Sequence, residues 1–307
     1  MAQILESGMR LITEEEYKDF LLTHESVEVE NVKVWLPKKR KIDSYAPKTF
    51  SPEEWTVWSF PERGDWATHS GNYRGNWSPY IPRNLILKYT KVGERVCDPM
   101  VGSGTTLVEC KLLGRNGIGV DVNLDSAMVA VNRLDFDYKP LDNDHYSPKI
   151  DVYQGDARNL DLIESETVDL VATHPPYWGI VTYSKNRIHG DLSTLKFTDY
   201  FEAMARVAGE CFRVLKQDRY CAILIGDTRR RRHYVPLSIG VLNKFLEAGF
   251  VLKEDVIKLQ HNMKGSRERW RGHEYDFYKI AHEHLYIFRK PRKEESHSDF
   301  KLSSKWW

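Results

Sequence analysis

The stretch His174-Pro175-Pro176-Tyr177-Trp178 combines residue types that could hold and orient a reactive amine. It directly follows an apolar run that predicts a buried strand. Each proline fixes φ and removes a backbone N–H, so the loop is stiff and its carbonyls are free to accept hydrogen bonds. A polar acceptor, free carbonyls and an aromatic face suit a planar molecule that carries an NH₂ group. The alternative is a strand that ends in a loop with surface aromatic residues, and this stretch alone leaves both open.

A glycine-rich turn lies upstream, between a strand that ends at Asp98 and a helix predicted to begin near Thr105 and to end at Gly114. The next strand ends at Asp121, 17 residues beyond Gly104. This order of elements is the general plan of a nucleotide-type cofactor site, in which the glycines allow close approach and the acid accepts from ribose hydroxyls. The third glycine of the dinucleotide pattern is missing. An adenosyl ligand without phosphates therefore fits better than a pyrophosphate.

Further strands and helices alternate along the chain, which predicts a mainly parallel sheet with helices on both faces. The last two strands have no helix between them, so one of them is expected to run antiparallel at the end of the sheet. Asp156 follows the third strand, where it could accept from an adenine amino group, cap the next helix, or do both. Asp98, Asp121, Asp156 and His174 all lie at carboxyl ends of strands, so we expect them to converge on one crevice.

The composition narrows the class of protein. The chain has 307 residues and a net charge of +1, which fits one large domain with appendages. Its four cysteines show no CxxC spacing, so we expect free thiols in a reducing compartment and no metal site. No apolar run reaches about 18 residues and the N-terminus lacks a signal-peptide core, so a cytoplasmic protein is expected. We predict an accessory segment at 1–50, a catalytic domain at 51–292 with a basic and aromatic loop at 262–279, and a polar tail at 293–307.

Because the net charge is close to zero, any contact with nucleic acid must come from local basic clusters. One cluster follows the fifth strand and a second lies in the late loop, where Trp270 and Tyr275 stand among the basic residues. Basic residues interleaved with aromatic ones suit DNA, and a solvated loop is the alternative. The predicted DNA-binding residues are Arg229, Arg230, Arg231, Arg232, Lys264, Arg267, Arg269 and Arg271.

The segments 98–106 and 114–121 resemble the cofactor motif of S-adenosylmethionine-dependent DNA amino-methyltransferases. Residues 173–178 are similar to the catalytic loop of that family, which usually has Asp, Asn or Ser before Pro-Pro and an aromatic residue. The resemblance covers roughly residues 55–290. It implies a Rossmann-like class I methyltransferase fold with a mostly parallel seven-stranded sheet. It also implies methyl transfer from S-adenosylmethionine to the exocyclic amine of a flipped base.

The same resemblance implies roles for individual residues. His174, Pro175, Pro176 and Tyr177 form the catalytic loop, with Tyr177 as the stacking platform, and Trp178 shapes the base pocket. The segment 69–85 looks like a further cofactor motif of the family. The residues expected to bind the cofactor are Asp98, Met100, Gly102, Ser103, Gly104, Thr105, Thr106, Asp121, Asp156, Ala157, His69 and Tyr80.

The sequence departs from the family at His174. A neutral imidazole has one acceptor nitrogen, so it can take one amino proton while the carbonyl of Pro175 takes the other. No long insertion for target recognition is evident, and the candidates are the N-terminal segment, 183–195 and 262–279. The Pro-Pro-Tyr-Trp continuation slightly favours N4 of cytosine over N6 of adenine.

Three readings of the function stay open. The first is a DNA methyltransferase, with a cognate restriction endonuclease or a specificity subunit as candidate partners. The second is an RNA guanine-N2 or protein-glutamine methyltransferase, because those enzymes use similar Pro-Pro-Tyr loops. The third is a non-catalytic DNA-binding module on the same fold. The oligomeric state is left open as well.

Overall fold

The computed structural model describes residues 8–29, 31–138, 146–178, 190–261 and 276–304. Its strands are β1 (Arg10–Leu11), β2 (Ser26–Val29), β3 (Val32–Trp35), β4 (Val57–Ser59), β5 (Arg95–Asp98), β6 (Asn116–Asp121), β7 (Ile150–Gln154), β8 (Val168–Thr173), β9 (Leu215–Ile225), β10 (Thr228–Arg230), β11 (His233–Val235), β12 (Val251–Leu259) and β13 (His282–Arg289). Its helices are α1 (Glu14–Thr23), α2 (Tyr80–Tyr89), α3 (Thr105–Leu113), α4 (Leu124–Leu134), α5 (Phe197–Val214), α6 (Leu237–Glu247) and α7 (Lys301–Ser304), with 3₁₀ turns at Leu192–Thr194 and His297–Phe300.

Nine strands form one sheet in the order β1-β7-β6-β5-β8-β9-β13-β12-β4. The central run from β7 to β9 is parallel throughout, which confirms the predicted mainly parallel sheet. Seven longer strands form the body of the sheet, and the short strands β1 and β4 extend its two ends. The antiparallel strand is β13, and it lies between β9 and β12 rather than at the edge. Strand β13 is interior because it pairs with β9 on one side and with β12 on the other.

Helices cover both faces of the sheet. On one face, α5 and α6 pack on sheet residues such as Cys97, Val171 and Ile223. On the other face, α2 packs on their chain neighbours, among them Val96 and Leu170. Successive side chains of a strand point to opposite faces, so a strand buried on both sides has a continuous apolar sequence, as β8 does. The predicted two-sided sheet is therefore confirmed.

The N-terminal segment packs on the end of the sheet. Strand β1 pairs with β7, and Tyr17 of α1 is buried against α4, where its hydroxyl accepts from Nδ2 of Asn132 at 2.8 Å. The division of the chain at residues 50 and 292 stays a prediction.

The described residues include four cysteines, all buried as free thiols. Within the same ranges, no group of three or more His, Cys, Asp or Glu side chains could hold a metal ion. No helix in the described part of the chain combines the length and the apolarity needed to cross a bilayer.

Candidate active site

A crevice opens at the carboxyl ends of β5, β6, β7 and β8, and it measures about 840 Å³ including its open mouth. The expected convergence of the four strand-end side chains is found here, because Asp98, Asp121, Asp156 and His174 all contribute to its wall. Parallel strands end at the same edge of a sheet, so the residues that follow them meet there. Of the other residues predicted for the site, the wall also includes Met100, Gly102, Ser103, Thr105, Ala157 and Pro176.

The glycine-rich turn holds the acid of β6 in place. Gly102 (φ 50°) and Gly104 (φ 81°) adopt the left-handed conformation that glycine tolerates best. The N–H of Gly102 donates to Oδ2 of Asp121 at 2.9 Å, and the N–H of Asn123 donates to Oδ1 at 2.9 Å. Burial raises the pKa of Asp121 to about 7, although these two hydrogen bonds favour the charged form. Helix α3 begins at Thr105 and its C-cap is Gly114, as predicted.

Asp98 lines the crevice, but both of its carboxylate oxygens accept hydrogen bonds from other side chains of the protein. Its Oδ1 accepts from Oγ1 of Thr173 at 2.7 Å, and its Oδ2 accepts from Oγ1 of Thr106 at 2.5 Å. Burial raises the pKa of Asp98 to about 6. The carboxylate therefore ties β5 to β8 and to α3, and Thr106 acts behind the wall instead of lining it.

Asp156 also lines the crevice. Both of its oxygens accept from Arg158, with the Nε–Oδ1 distance at 2.9 Å and the Nη2–Oδ2 distance at 2.5 Å. The N–H of Arg158 also donates to Oδ1, at 2.9 Å. No helix follows within the described residues 157–167, so Asp156 does not cap one. Its carboxylate instead accepts hydrogen bonds from Arg158 within the turn that follows β7.

The loop after β8 brings His174 and Pro176 into the wall. Burial lowers the pKa of His174 to about 4, although one edge of the ring still faces the crevice, so the imidazole is neutral near pH 7. Tyr177 does not line the crevice. Its ring meets the His174 ring edge-on, with centroids 5.2 Å apart, and packs against the backbone of Gly226.

A glycine turn, strand-end acids and a Pro-Pro loop thus share one cavity. A family model described as DNA methylase matches residues 13–132 and 168–306, which is most of the chain.

The chain belongs to the DNA methylase family.

A second model, for an RMKL-like methyltransferase domain, matches residues 85–234.

Similar proteins include both DNA and RNA enzymes. The chain is 34% identical over 106 residues to tRNA (guanine(10)-N2)-dimethyltransferase of Methanothermobacter thermautotrophicus, a match that covers 34% of this chain and 29% of that one. It is 42% identical over 59 residues to Type II methyltransferase M.HpaI of Haemophilus parainfluenzae, which covers 19% of each. It is 45% identical over 56 residues to Type II methyltransferase M2.DpnII of Streptococcus pneumoniae, covering 18% and 21%. The matches therefore span less than a third of these relatives. A solved SAM-dependent methyltransferase from Methanosarcina mazei shares 14% identity, with a TM-score of 0.45 over 67% of this chain and 97% of that one.

The far wall of the methylase crevice comes from residues 73–77, which lie within the segment 69–85 predicted as a further cofactor motif, although only His69 and Tyr80 of that segment were predicted to bind the cofactor. The hydroxyl of Tyr73 donates to Oγ of Ser126 at 2.8 Å, and Nδ2 of Asn76 donates to Oγ of Ser103 at 3.2 Å. The ring of Trp77 lies nearly parallel to that of His174, with centroids 6.1 Å apart and 20° between the planes. The signal in the sequence was a pair of asparagine and aromatic residues on either side of Gly75, Asn72-Tyr73 and Asn76-Trp77. Asp191 also lines the crevice and had no such signal.

His69 and Tyr80, which were predicted to bind the cofactor, lie behind this wall. Nε2 of His69 is 2.8 Å from Oε1 of Glu109, and the ring of Tyr80 packs on Trp66. Glu109 is fully buried, and it also accepts from Nε1 of Trp66 at 2.7 Å and from Nη1 of Arg83 at 2.8 Å. These side chains fix the loop that forms the wall and do not reach the crevice themselves. Gly104, Pro175 and Trp178 are likewise outside the lining.

A two-stranded hairpin of β10 and β11 stands next to the Pro-Pro loop. The guanidinium of Arg230 lies over the ring of Trp178, 5.1 Å from its centroid. Arg231 (φ 47°) and Arg232 (φ 73°) form the turn, although this geometry favours Asn-Gly, so the turn is strained. Arg229 lies over the ring of Phe277 at 4.4 Å. The predicted contacts Lys264, Arg267, Arg269 and Arg271, with Trp270 and Tyr275, lie outside the described residues.

The residues of the crevice fit S-adenosylmethionine. Asp121 points an acceptor into it, and Oγ1 of Thr105 is buried there without a hydrogen-bond partner among the described residues. An unsatisfied buried hydroxyl is costly, so a polar ligand group would stabilise it. The wall is otherwise largely apolar, which suits the adenosyl and methionyl parts of the cofactor.

Proposed function

We propose that this protein transfers a methyl group from S-adenosylmethionine to the exocyclic amine of a base in DNA. The observation that carries the proposal is the position of His174. It stands at the carboxyl end of β8, beside two prolines, in the same crevice as the glycine turn and Asp121. A hydrogen-bond acceptor next to the cofactor pocket suits the transfer of a methyl group to an amine.

S-adenosylmethionine supplies an electrophilic methyl group bound to a sulfonium. Asp121 would accept from the ribose hydroxyls of the bound cofactor, and Asp156, whose orientation is set by Arg158, would accept from the adenine amino group. Asp98 keeps the end of β5 fixed by its bonds to Thr106 and Thr173.

The target amine is a poor nucleophile because its lone pair is delocalised into the base. His174 accepts a hydrogen bond from one N–H of the amine, which localises the lone pair towards the methyl group. The carbonyl of Pro175, which was predicted for the second N–H, lies outside the crevice lining. His174 can act in this way because its low pKa keeps it neutral. A cysteine nucleophile is not needed, and burial raises the pKa of the thiols of Cys97, Cys110 and Cys221.

The base must leave the duplex to reach the crevice, which costs a few kcal/mol. Stacking on an aromatic ring returns about 1–3 kcal/mol per base. Tyr177 was the predicted platform, but Trp77 is the aromatic ring in the wall beside His174, so we propose Trp77 for the stacking role. Trp178 and the arginines of the hairpin then contact the DNA backbone at the rim of the crevice.

We retain N4 of cytosine as the preferred target, on the strength of the Pro-Pro-Tyr-Trp loop. A cytoplasmic location belongs to the same proposal. A cognate restriction endonuclease is proposed as partner because several relatives are Type II methyltransferases. The similarity to tRNA (guanine(10)-N2)-dimethyltransferases favours guanine N2 in RNA as the second candidate.

The test is incubation of the purified protein with tritiated S-adenosylmethionine and either mixed-sequence duplex DNA or tRNA, followed by mass spectrometry of the nucleosides. N4-methylcytosine or N6-methyladenine supports the proposal, and N2-methylguanine in tRNA replaces it with the second candidate.

His174→Ala should lower the transfer rate by about 10²–10³-fold while cofactor binding is retained, because one preorganised contact to the reacting group is lost. The exposed His24→Ala serves as the matched control. Transfer at the wild-type rate in His174→Ala would contradict the assigned role.

A further inference from the structure

The Pro-Pro loop is connected to a buried charge pair on the neighbouring strands. Glu283 of β13 and Lys258 of β12 are direct cross-strand partners, and Nζ of Lys258 is 2.9 Å from Oε2 of Glu283. The other oxygen of Glu283 accepts from the hydroxyl of Tyr177 at 2.6 Å. The hydroxyl of Tyr177 is in turn 2.8 Å from Nε2 of His174. One continuous chain of hydrogen bonds thus runs from Lys258 to His174.

The direction of these hydrogen bonds follows from the charge of Glu283. Burial by itself raises the pKa of Glu283, but nearby positive charge, chiefly that of Lys258, and the hydrogen bonds from Tyr177 and Lys258 together outweigh it, so the pKa lies below its ordinary value. The carboxylate is therefore ionised and can only accept. Tyr177 has one hydroxyl proton and donates it to Glu283, so towards His174 its oxygen must accept. Nε2 of the neutral His174 therefore carries the ring proton.

The remaining ring nitrogen is left as the acceptor. Nδ1 of His174 is buried and makes no hydrogen bond of normal geometry to any described residue. The backbone of Gly75 lies close enough to raise the pKa of His174 slightly, and it is the competitor for a proton on Nδ1. The hydrogen bond from Tyr177 to the ionised Glu283 is stronger than one from Nδ1 to the backbone of Gly75, because charge-assisted hydrogen bonds are about twice as strong as neutral ones.

We infer that Glu283 is a positioning residue, which acts through Tyr177 to hold His174 in the tautomer with its proton on Nε2 and its lone pair on Nδ1. This inference rests on the proposed function. It also explains why Tyr177 points away from the crevice, since its hydroxyl is engaged in the chain. A histidine can replace the usual Asp, Asn or Ser of the loop only if its tautomer is controlled, because the wrong tautomer presents an N–H to an amine that also donates.

Two substitutions test the inference. In Glu283→Gln, the amide oxygen is expected to face Lys258 and the NH₂ group to face Tyr177, which reverses the chain and moves the proton of His174 to Nδ1. In Tyr177→Phe, the Glu283–Lys258 pair is left intact and only the link is removed. The control is Asp255→Asn, because Asp255 pairs with His284 on the same two strands, 3.0 Å from its Nδ1, but keeps 41% side-chain exposure where Glu283 is buried.

The direct readout is the ¹⁵N NMR spectrum of histidine-labelled protein, in which protonated and unprotonated ring nitrogens differ in chemical shift, with His174 assigned by its substitution. We expect a protonated Nε2 in the wild type and a protonated Nδ1 in Glu283→Gln. We also expect kcat to fall about 10–100-fold in both variants with KM for the cofactor unchanged, by analogy with the partners that orient metal-bound histidines.

A proton on Nδ1 in the wild type, held by Gly75, would overturn the inference. An unchanged tautomer in Glu283→Gln would overturn it as well, whatever the effect on rate. The NMR readout does not depend on the substrate. If the tautomer reverses but no nucleic acid is methylated, the positioning role stands and the proposed function fails.

Discussion

The buried carboxylate of Glu109 provides the sharpest test of how the crevice wall is held. It has no solvent exposure and accepts from Trp66, His69 and Arg83. Burial lowers the pKa of His69, so His69 is neutral near pH 7, and the cation paired with Glu109 among the described residues is Arg83. Glu109→Gln keeps the shape of the side chain but replaces one carboxylate oxygen by an NH₂ group. That NH₂ group then faces a hydrogen-bond donor, which in the wild type faces an acceptor.

The cost can be worked out from these contacts. Removing one partner of a buried ion pair costs about 3–5 kcal/mol. Arg83 keeps 12% side-chain exposure, so the lower end applies, about 3 kcal/mol. Unfolding entropy is about 2.1 cal/mol/K per residue, or roughly 0.65 kcal/mol/K for 307 residues. The expected fall in Tm is therefore about 5 °C.

The assay is thermal unfolding followed by circular dichroism, with titration calorimetry of S-adenosylmethionine at 25 °C. Glu202→Gln is the control, because Glu202 is exposed on α5 and such changes stay within about 0.5 kcal/mol. The cofactor should also bind more weakly to Glu109→Gln, since the loop that Glu109 anchors carries Asn76 and Trp77. A fall in Tm no larger than that of the control would refute the reasoning.

Two further predictions concern the glycine turn and its acid. Because Asp121 has a pKa of about 7 and only its ionised form accepts two ribose donors, cofactor affinity should fall by up to about tenfold per pH unit below pH 7. In Asp121→Asn, calorimetry should show that cofactor affinity no longer depends on pH between about pH 6.5 and 8. If the affinity of this variant still changes with pH in that range, the titrating group is not Asp121. Gly104→Ala should lower stability by about 2–4 kcal/mol, because φ is 81° and a Cβ would lie 3.0 Å from Cα of Ala130. Gly209→Ala, with open space around it in α5, should raise stability by about 0.5–1 kcal/mol, and equal effects of the two changes would contradict the steric argument.

Local sequence patterns were sufficient for the frame of the site. The glycine turn, the start of α3 near Thr105 and its end at Gly114 depend on backbone conformations that are set within a few residues. The meeting of Asp98, Asp121 and Asp156 followed from a simple rule, since parallel strands bring their carboxyl ends to one edge.

Contacts between distant segments could not be anticipated in this way. Histidine is a residue type that can bind a ligand, which is why His69 was predicted for the site. In the structure its Nε2 is instead hydrogen-bonded to Glu109, 40 positions away. Tyr177 was expected to stack on the base, but its hydroxyl is hydrogen-bonded to Glu283, 106 positions away. One of the last two strands was predicted to be antiparallel, and it is β13, yet its place inside the sheet depended on which side of it β12 paired.

The sequence by itself determined the order of strands and helices, the cofactor turn and the loop that carries His174. It could do so because each of these depends on backbone preferences and apolar periodicity over short stretches. Only the tertiary structure decided which nitrogen of His174 is the acceptor, which aromatic ring faces the crevice and which acids are already engaged. These properties depend on hydrogen bonds in a buried setting, where every donor and acceptor takes whichever partner the packing brings within about 3 Å.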